Sequence, residues 1–317
     1  MAFSPELQSR LSAPEAKSLE TILTQLLAIW PEHAPFLQRG FDRYEARDWP
    51  HLLSQADAVL RLSGPDLTPF IQGYRWMCDR FLEEELHFRR TGRYRLSSFA
   101  QVQQDLYSDR EKMTLYMRGL LLSGVLFSNH VHSRLSFERD FLALAPTPFR
   151  HLEVGPGHGF YLHLAAADPR CHQAEGWDIS ATSLDMTRNA LKSLGLDQPP
   201  PLLERDIQAP LPPIDEPFDT LTINEVLEHL EHPEKALRHL YSVLKPGGRL
   251  FVGLPVNSPA PDHIYQLHDL EGVTSLVAGA GFEIEITRQF PATGFTLEQA
   301  LKRKMLISCV VIARRPG

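Results

Sequence analysis

The chain has 317 residues, of which 43% are hydrophobic and 22% are charged, and its formal net charge is −7. These values are near the average of globular proteins, so one large domain or two ordinary domains with a sizeable core are expected. The acidic balance repels phosphate backbones and argues against nucleic acid as a partner.

The sequence has no pattern of an exported or membrane-spanning protein. Its N-terminus lacks a basic start and a long apolar run, and no stretch of about 18 apolar residues follows. The cysteines, Cys78, Cys171 and Cys309, share no metal-ligand spacing, and their odd number argues against a disulfide framework. We therefore expect a cytoplasmic protein that does not contact membranes.

Residues 1–145, the helical half, carry apolar residues at intervals of three and four positions throughout. This spacing predicts an all-helical domain, and no alternating strand pattern is found there. The broadest apolar stripe runs along segment 112–141. The basic segment 87–95 is interpreted as a solvated helix end, because basic residues are common at helix C-termini.

Residues 146–317, the sheet half, show short apolar runs that alternate with helical patterns. This alternation predicts an α/β fold with a mostly parallel, doubly wound sheet. Seven strands are predicted near 149–154, 173–178, 200–205, 218–223, 248–254, 282–288 and 306–313, and helices near 160–167, 181–194, 230–244 and 269–280. The last two strands have no helical pattern between them, so we expect them to pair antiparallel through a long insertion.

The first predicted strand of the sheet half ends in a glycine turn, EVGPGHG, at residues 153–159. Gly155, Gly157 and Gly159 let the backbone turn tightly and approach a ligand without side-chain obstruction. Glu153 would be a poor neighbour for a pyrophosphate, but its carboxylate suits the ammonium group of an amino acid. The turn therefore favours a zwitterionic or cationic ligand.

Acidic residues also follow the next two predicted strands. Asp178 lies 23 residues beyond Gly155, and a carboxylate that binds a ribose is expected at an offset of about 20 residues. Asp206 is placed to accept a hydrogen bond from the exocyclic amine of an adenine, and Ile179 and Ile207 could lie on either face of that ring. Taken alone, Asp178 is equally compatible with a role at the start of the following helix.

These motifs, together with NEVLEH at 224–229 and LKPGG at 244–248, resemble those of class I S-adenosylmethionine-dependent methyltransferases. The sequence is similar to the small-molecule branch that includes ubiquinone-biosynthesis and natural-product methyltransferases. The resemblance covers residues 146–317 and implies a Rossmann-like seven-stranded methyltransferase sheet, with the helical half as an additional domain.

The resemblance also implies roles for individual residues in binding S-adenosylmethionine. Glu153 and the three glycines would bind the methionine part, and Asp178 would bind the ribose. Asp206 and Ile207 would contact the adenine, and Asn224 would lie beside the methionine at the end of the fourth strand.

The segment after the fourth strand carries Glu225, Glu228 and His229, which are spaced i, i+3 and i+4. We expect the helix that follows this strand to begin at Asn224 and to present all three on one face. His229 is the candidate general base, with Glu225 beside it, because imidazole has an ordinary pKa of about 6.5. The alternative is that these residues only orient loops and cap the helix.

The same cluster, joined by His263, resembles the divalent-metal site of small-RNA 2′-O-methyltransferases. This resemblance implies Mg²⁺, Mn²⁺ or Fe²⁺ held by Glu225, Glu228, His229 and His263, with His268 as a less favoured substitute for His263. Such a metal would bind and acidify a substrate hydroxyl. The alternative is a polar pocket that holds no metal.

Contacts to the methyl acceptor are expected at the end of the sheet where doubly wound folds bind ligands. Asn257, His263 and Tyr265 follow the fifth strand and are predicted to contact the acceptor. Tyr116 of the helical half is a further candidate, although it could equally be a core residue. The helical half itself is predicted to cap the acceptor pocket or to form a homodimer interface.

The sequence therefore predicts methyl transfer from S-adenosylmethionine to a small-molecule acceptor, with O-methylation slightly favoured over N- or C-methylation. Two alternatives are an NAD(P)-dependent oxidoreductase on a similar sheet and a non-catalytic protein that binds S-adenosylmethionine. Glu153 and the glycine spacing argue against the oxidoreductase, and the intact set of site residues argues against the non-catalytic protein.

Overall fold

The computed structural model of the protein describes residues 3–212 and 214–317. The helical half consists of helices, as its apolar spacing predicts. They are α1 (Pro5–Leu11), α2 (Lys17–Ile29), α3 (Ala34–Phe41), α4 (Trp49–Ser63), α5 (Thr68–Thr91), α6 (Phe99–Val102), α7 (Arg110–Leu126) and α8 (Ser128–Ser136). Two π-helical segments follow α6 and α8, at Gln103–Tyr107 and Phe137–Phe141.

Local sequence signals explain where several of these helices begin and end. The Asp109 carboxylate accepts hydrogen bonds from the first backbone N–H groups of α7, and α5 ends at Gly92, which takes a left-handed conformation. The apolar faces pack into one core that includes Leu19, Leu52 and Tyr74. The helical half is thus held together by its own hydrophobic core.

The sheet half contains the predicted seven-stranded sheet. Its strands are β1 (Phe149–Val154), β2 (Cys171–Asp178), β3 (Leu202–Glu204), β4 (Phe218–Asn224), β5 (Leu244–Val256), β6 (Glu283–Pro291) and β7 (Ile307–Arg314). The strand order is β3-β2-β1-β4-β5-β7-β6. Strands β1 to β5 are parallel to one another, and β7 is antiparallel to both β5 and β6. The Rossmann-like methyltransferase arrangement is therefore confirmed.

Two predictions about helices in the sheet half are wrong. The helices there are α9 (Phe160–Ala167), α10 (Ala181–Ser193), α11 (Pro233–Val243), α12 (Leu270–Gly279) and α13 (Leu297–Arg303). The last of these occupies the insertion between β6 and β7 that the sequence pattern left without a helix; a capping box formed by Thr296 and Gln299 starts it. The helix after β4 begins at Pro233, and residues 227–229 form only a short 3₁₀ turn.

The two halves pack directly on each other at the last strands of the sheet. The backbone N–H of Ser128 donates to Thr293 Oγ1 at 2.9 Å, and Asn129 Nδ2 donates to Ser308 Oγ at 3.0 Å. Ser308 lies opposite Pro255 in the sheet, so this contact is at the carboxyl end of β5. The helical half therefore covers the edge of the sheet where doubly wound folds bind ligands.

Among the helices of the described residues, none is long and apolar enough to cross a lipid bilayer.

Candidate cofactor and acceptor site

The glycine turn after β1 has the backbone that its sequence predicts. Gly155, Gly157 and Gly159 have φ angles of 66°, 50° and 74°, in the left-handed region that side chains disfavour. A Cβ atom on Gly155 would lie 2.5 Å from Val226 Cγ2, whereas a Cβ on Gly157 would meet nothing within 4 Å. Gly157 thus presents open backbone, and α9 begins directly after Gly159. The turn can accept a ligand against its backbone N–H groups.

Glu153 lies at the base of this turn, and its residue is only 2% exposed. Its Oε2 atom has no hydrogen-bond partner among the described residues. Burial raises the pKa of the carboxyl group well above its ordinary value. A buried acceptor without a donor fits the ammonium group of S-adenosylmethionine, since an amine would supply the missing hydrogen bond.

Asp178, at the end of β2, already has partners at the start of α10. Its Oδ1 accepts from the backbone N–H of Ser180 and its Oδ2 from Ser183 Oγ, both at 2.8 Å. Burial raises the pKa of Asp178. The helix-start role that the sequence allowed is therefore present in the structure. Each carboxylate oxygen can accept a second hydrogen bond, so the predicted contact to a ribose stays open as well.

The predicted adenine contacts lie on the surface beside β2 and β3. Ile179 is 53% exposed, which is high for a large apolar side chain, whereas Ile207 is 6% exposed. Asp206 is exposed, and its Oδ1 accepts from the backbone N–H of Gln208 at 2.8 Å. An exposed isoleucine next to the turn fits a site that an aromatic ring would cover.

Asn224 at the end of β4 connects the predicted cofactor site to the helical half. Its Oδ1 accepts from Ser133 Oγ of α8 at 3.4 Å, and its side chain lies where Gly253 has no Cβ. The neighbouring Tyr161 donates to the same Ser133 oxygen at 3.3 Å. Helix α8 therefore contacts the end of β4 and the first turn of α9.

The cluster of Glu225, Glu228 and His229 forms without the predicted helical face. Glu225 has a φ of 53°, so the backbone turns there and does not continue into a helix after β4. The three residues therefore do not lie on one helix. Burial raises the pKa of Glu225 to about 7 and raises the pKa of Glu228 well above its ordinary value, where the neighbouring Glu225 carboxylate raises it further. Neither side-chain oxygen of Glu228 has a hydrogen-bond partner among the described residues.

His229 and His263 face each other in this cluster, with ring centroids 5.0 Å apart. His229 Nδ1 is 2.9 Å from the backbone oxygen of Asp262, and His263 Nδ1 is 2.7 Å from that of Ser258. A carbonyl oxygen can only accept, so each Nδ1 carries a proton, and in the neutral form of each ring Nε2 carries the lone pair. Burial lowers the pKa of His263 to about 4, which keeps that ring neutral near pH 7.

Three of the four predicted metal ligands come together. Glu228, His229 and His263 each offer a ligand atom, and these atoms lie within 4.8 Å of one another. His263 Nε2 is 3.9 Å from Glu228 Oε1. Among the described residues, Glu225 does not belong to this group of possible ligands. A carboxylate and two imidazoles with their Nδ1 protons held by carbonyls match the usual orientation of metal-binding histidines.

The other residues predicted to contact the acceptor form hydrogen bonds within the chain. Asn257 has a φ of 48° and donates from Nδ2 to the His268 oxygen at 2.9 Å, so it organises its loop. Tyr265 donates from its backbone N–H to the oxygen of Glu228, and its side chain is half-buried. Tyr116 is buried and donates to Asp262 Oδ1 at 2.8 Å.

Sequence reasoning missed four residues that organise this site, namely Tyr94, Tyr107, Ser258 and Asp262. Tyr94 lies in the basic segment that was interpreted as a solvated helix end, and Tyr107 lies in a π-helical segment. Asp262 precedes the predicted ligand His263, and this adjacency was the only signal available. The contacts of the two tyrosines with the loop after β5 join residues more than 150 positions apart.

Comparison with known proteins agrees with this geometry. Residues 152–252 match the family described as a methyltransferase domain. The ubiquinone/menaquinone biosynthesis C-methyltransferase UbiE of Klebsiella pneumoniae subsp. pneumoniae is 38% identical over 109 residues, which are 33% of this chain and 43% of that protein. UbiE of Escherichia fergusonii is 38% identical over 106 residues, 32% of this chain and 42% of that protein. The chain thus spans about two fifths of the length of these relatives.

A solved structure shares the fold more broadly. An O-methyltransferase family protein from Burkholderia thailandensis aligns with a TM-score of 0.51 over 80% of this chain and 73% of that chain, at 16% identity. At this identity the likeness concerns the fold alone. Residues 152–252 therefore match a methyltransferase domain, and they lie within a seven-stranded sheet that carries the glycine turn.

Proposed function

We propose that the protein transfers a methyl group from S-adenosylmethionine to a small-molecule acceptor. The observation that carries this proposal is the buried carboxyl of Glu153 at the base of the glycine turn, since its Oε2 has no hydrogen-bond partner in the part of the chain that the structure describes and Gly157 presents open backbone. S-adenosylmethionine supplies a methyl group on a positively charged sulfur, which is already activated for transfer. The work left to the chain is to orient both reactants and to exclude water.

The chain's residues divide this work between two sides of the site. Glu153 accepts a hydrogen bond from the amine of the cofactor, the glycine turn lies against its methionine part, and Asp178 accepts from its ribose. Asp206, Ile179 and Ile207 contact the adenine. Asn224 closes this side, since its side chain lies between the end of β4 and helix α8.

The acceptor side consists of the cluster after β4 and the loop after β5. His229 keeps its proton on Nδ1, so Nε2 is free to take the proton of an acceptor hydroxyl, with the Glu225 carboxyl nearby. We therefore propose O-methylation as the favoured reaction, ahead of N- or C-methylation. His263, Tyr116, Asn257 and Tyr265 line or support this side, and the helical half forms its cover.

Calorimetry with S-adenosylhomocysteine tests the cofactor assignment. We expect the wild type to bind it and Asp178→Ala to weaken binding by about 10-fold or more, since a hydrogen bond to a charged group contributes about 1.5–3 kcal/mol. Asp185→Ala is the matched control, because this side chain on α10 is 73% exposed and pairs only with Arg188. Binding of NAD in place of S-adenosylhomocysteine would favour the oxidoreductase instead.

Turnover tests the enzymatic part of the proposal. The full chain is incubated with S-adenosylmethionine and a panel of hydroxyl, amine and carbon acceptors, and formation of S-adenosylhomocysteine is measured. Release with hydroxyl compounds supports O-methylation. Tight binding without turnover on the whole panel would favour a non-catalytic binding protein. Light scattering on the same sample tests the predicted homodimer.

A divalent metal is a second proposal for the same cluster. Glu228, His229 and His263 would hold it, because their donor atoms converge and both imidazoles have Nδ1 occupied by a carbonyl. A bound cation would polarise an acceptor hydroxyl. Titration with Mn²⁺ after chelation tests this: His263→Gln should abolish binding and His268→Gln, outside the cluster, should not. Full turnover of the chelated wild type would remove the metal from the reaction.

A further inference from the structure

The two imidazoles of the acceptor side are oriented by one short loop after β5. Residues 257–263, the 257–263 loop, supply both carbonyl oxygens that bind the rings: Asp262 accepts from His229 Nδ1 at 2.9 Å, and Ser258 accepts from His263 Nδ1 at 2.7 Å. Both loop residues are buried, Asp262 at 3% and Ser258 at 4% exposure. The position of this loop therefore decides where both Nε2 lone pairs point.

The same two loop residues are held by tyrosines of the helical half. The hydroxyl of Tyr94, just after α5, accepts from the backbone N–H of Ser258 at 3.0 Å. Tyr107, from the π-helical segment, donates to Asp262 Oδ2 at 3.3 Å, and Tyr116 of α7 donates to Asp262 Oδ1 at 2.8 Å. Each residue that orients an imidazole is thus itself oriented by a phenol from the other half of the chain.

We propose that the helical half positions His229 and His263 through these three tyrosines, so that Tyr94, Tyr107 and Tyr116 are positioning residues of the acceptor site. The inference deepens the proposed function, since it assigns the helical half a part in arranging the reactive groups in addition to covering them. It does not depend on which acceptor is methylated.

The phenols matter because two oxygen atoms of Asp262 lie near Nδ1 of His229 and could each accept its hydrogen bond. The Asp262 carbonyl is 2.9 Å from Nδ1, and the Asp262 carboxylate oxygen Oδ2 is only 3.7 Å from the same nitrogen. Two hydroxyl donors occupy the carboxylate and hold it away from the ring. Without these phenols the buried Asp262 carboxylate would lack donors, and we expect it to pair with the imidazole, whose Nδ1 is 3.7 Å away.

Nitrogen NMR of the intact protein tests the proposal without cofactor or acceptor. The chain is labelled at its 14 histidines, kept in chelator, and the ring signals of His229 and His263 are assigned by their loss in His229→Gln and His263→Gln. We expect the Nδ1 signal of each wild-type ring to be that of a protonated nitrogen that donates to a carbonyl oxygen. A wild type with both rings as mixed tautomers would overturn the proposal.

The tyrosine variants decide whether the helical half is responsible. In the double variant Tyr107→Phe and Tyr116→Phe, we expect the His229 signals to move towards those of a ring paired with a carboxylate. Adding Asp262→Asn to that variant should restore the wild-type pattern, because the competing charge is gone. Tyr94→Phe should change the signals of His263 and leave those of His229 less affected.

Tyr74→Phe is the matched control. Tyr74 is a fully buried phenol of the same half, but its hydroxyl bonds to His33 Nε2 at 2.9 Å, away from the 257–263 loop. This variant should alter the signals of His33 only. Unchanged His229 signals in a folded double variant would contradict the proposal, as would equal changes in the control. If the double variant does not fold, Tyr116→Phe alone provides the same comparison.

The proposal and the proposed function fail separately. Absence of S-adenosylhomocysteine binding together with the expected tautomer pattern would reject the methyltransferase assignment and keep the positioning role. Binding and turnover with unchanged histidine signals in the tyrosine variants would do the reverse.

Discussion

Glu153 lies near the end of β1 and is almost completely buried, and within residues 3–212 and 214–317 its Oε2 has no hydrogen-bond partner. In the unfolded chain this group would ionise with a pKa of about 4.3. In the folded protein, burial raises the pKa well above that value. Folding therefore disfavours the ionised form of Glu153, whereas a cationic ligand at the glycine turn would favour the ionised form.

Replacing Glu153 with glutamine should stabilise the ligand-free protein and weaken ligand binding. A raised folded pKa means that the folded state binds the proton more tightly, so stability falls as pH rises above about 4.3. Glu153→Gln removes this loss, and we expect a gain on the order of 1–3 kcal/mol at pH 7. Thermal unfolding between pH 5 and pH 8 measures it.

The sign of the pH effect provides the control for this prediction. The advantage of Glu153→Gln should shrink as pH falls towards 5, because the wild-type carboxyl is then increasingly protonated in both states. Calorimetry should show weaker binding of S-adenosylhomocysteine by the same variant. A variant that is both less stable and unchanged in binding would contradict the prediction.

Gly155 and Gly157 have similar backbone angles but different surroundings, so alanine should affect them differently. At Gly155 the new methyl would lie 2.5 Å from Val226 Cγ2, in addition to the cost of a left-handed residue, about 1–2 kcal/mol. Gly155→Ala should therefore lose more stability in urea unfolding, and Val226→Ala should restore part of it. Gly157→Ala should lose more S-adenosylhomocysteine affinity, because its methyl occupies the open side of the turn.

The residues proposed for the cofactor side form a pattern that can be recognised in the sequence, whereas those that organise the proposed acceptor side do not. Glu153, the glycines and Asp178 are close to one another in a local pattern, and the pattern itself carries their chemistry. Tyr116 and Asp262 are 146 positions apart and meet only because the helical half folds over the sheet. Such a contact has no local signal, which explains why Asp262 was missed.

Helices α5 and α7 approach each other through paired glycines. A Cβ on Gly73 would lie 2.5 Å from the Leu115 oxygen, and a Cβ on Gly119 would lie 2.8 Å from the Gly73 oxygen. The two backbones are thus in direct contact near the middle of the helical half. Because Tyr116 lies one turn from Gly119 on α7, this contact also determines how far Tyr116 reaches towards the sheet.

We expect Gly119→Ala to destabilise the protein although alanine favours helix. The added methyl has backbone as its neighbour and cannot be accommodated by a side-chain rotation, so a loss of about 1–3 kcal/mol is expected. Urea unfolding measures the loss. Gly279→Ala on α12 is the control, since a Cβ there meets nothing within 4 Å and should cost no stability. Equal stability of the two variants would show that the helices can separate freely.

Sequence patterns located most elements and failed at two for identifiable reasons. The helix expected from Asn224 does not form because Glu225 has a positive φ. A glutamate gives no sequence signal for that conformation. Pro233 was a readable signal for the true start, since proline is favoured in the first turn of a helix. Helix α13 is seven residues long, too short for a clear apolar period, although Thr296 and Gln299 formed a legible capping box.

The two halves of the molecule share hydrophobic contacts and are not separate bodies. Phe137 and Phe141 of the helical half are fully buried in one cluster with Phe149, Phe251 and Val310 of the sheet half. The ring centroids of Phe137 and Phe251 are 5.4 Å apart in an edge-to-face arrangement. Neither half can therefore unfold without exposing aromatic surface of the other.

We expect the whole chain to unfold in a single cooperative transition. Three of the four tryptophans, Trp30, Trp49 and Trp76, belong to the helical half, and the fourth is Trp177. In Trp177→Phe, fluorescence therefore reports the helical half alone, whereas far-ultraviolet circular dichroism reports both halves. The two denaturation curves should coincide. A fluorescence change at clearly lower denaturant would mean that the helical half opens independently.

The position of β7 between two earlier strands has a consequence for how the chain is made. This strand lies between β5 and β6, yet it comes last in the sequence of the sheet. In any chain that has β5 and β6 but lacks residues 307–314, both strands have unpaired backbone along the edges that β7 occupies in the complete sheet. Those edges invite pairing with other nascent chains, so a stalled or prematurely terminated product lacking residues 307–314 should be a preferred client of chaperones that bind during synthesis.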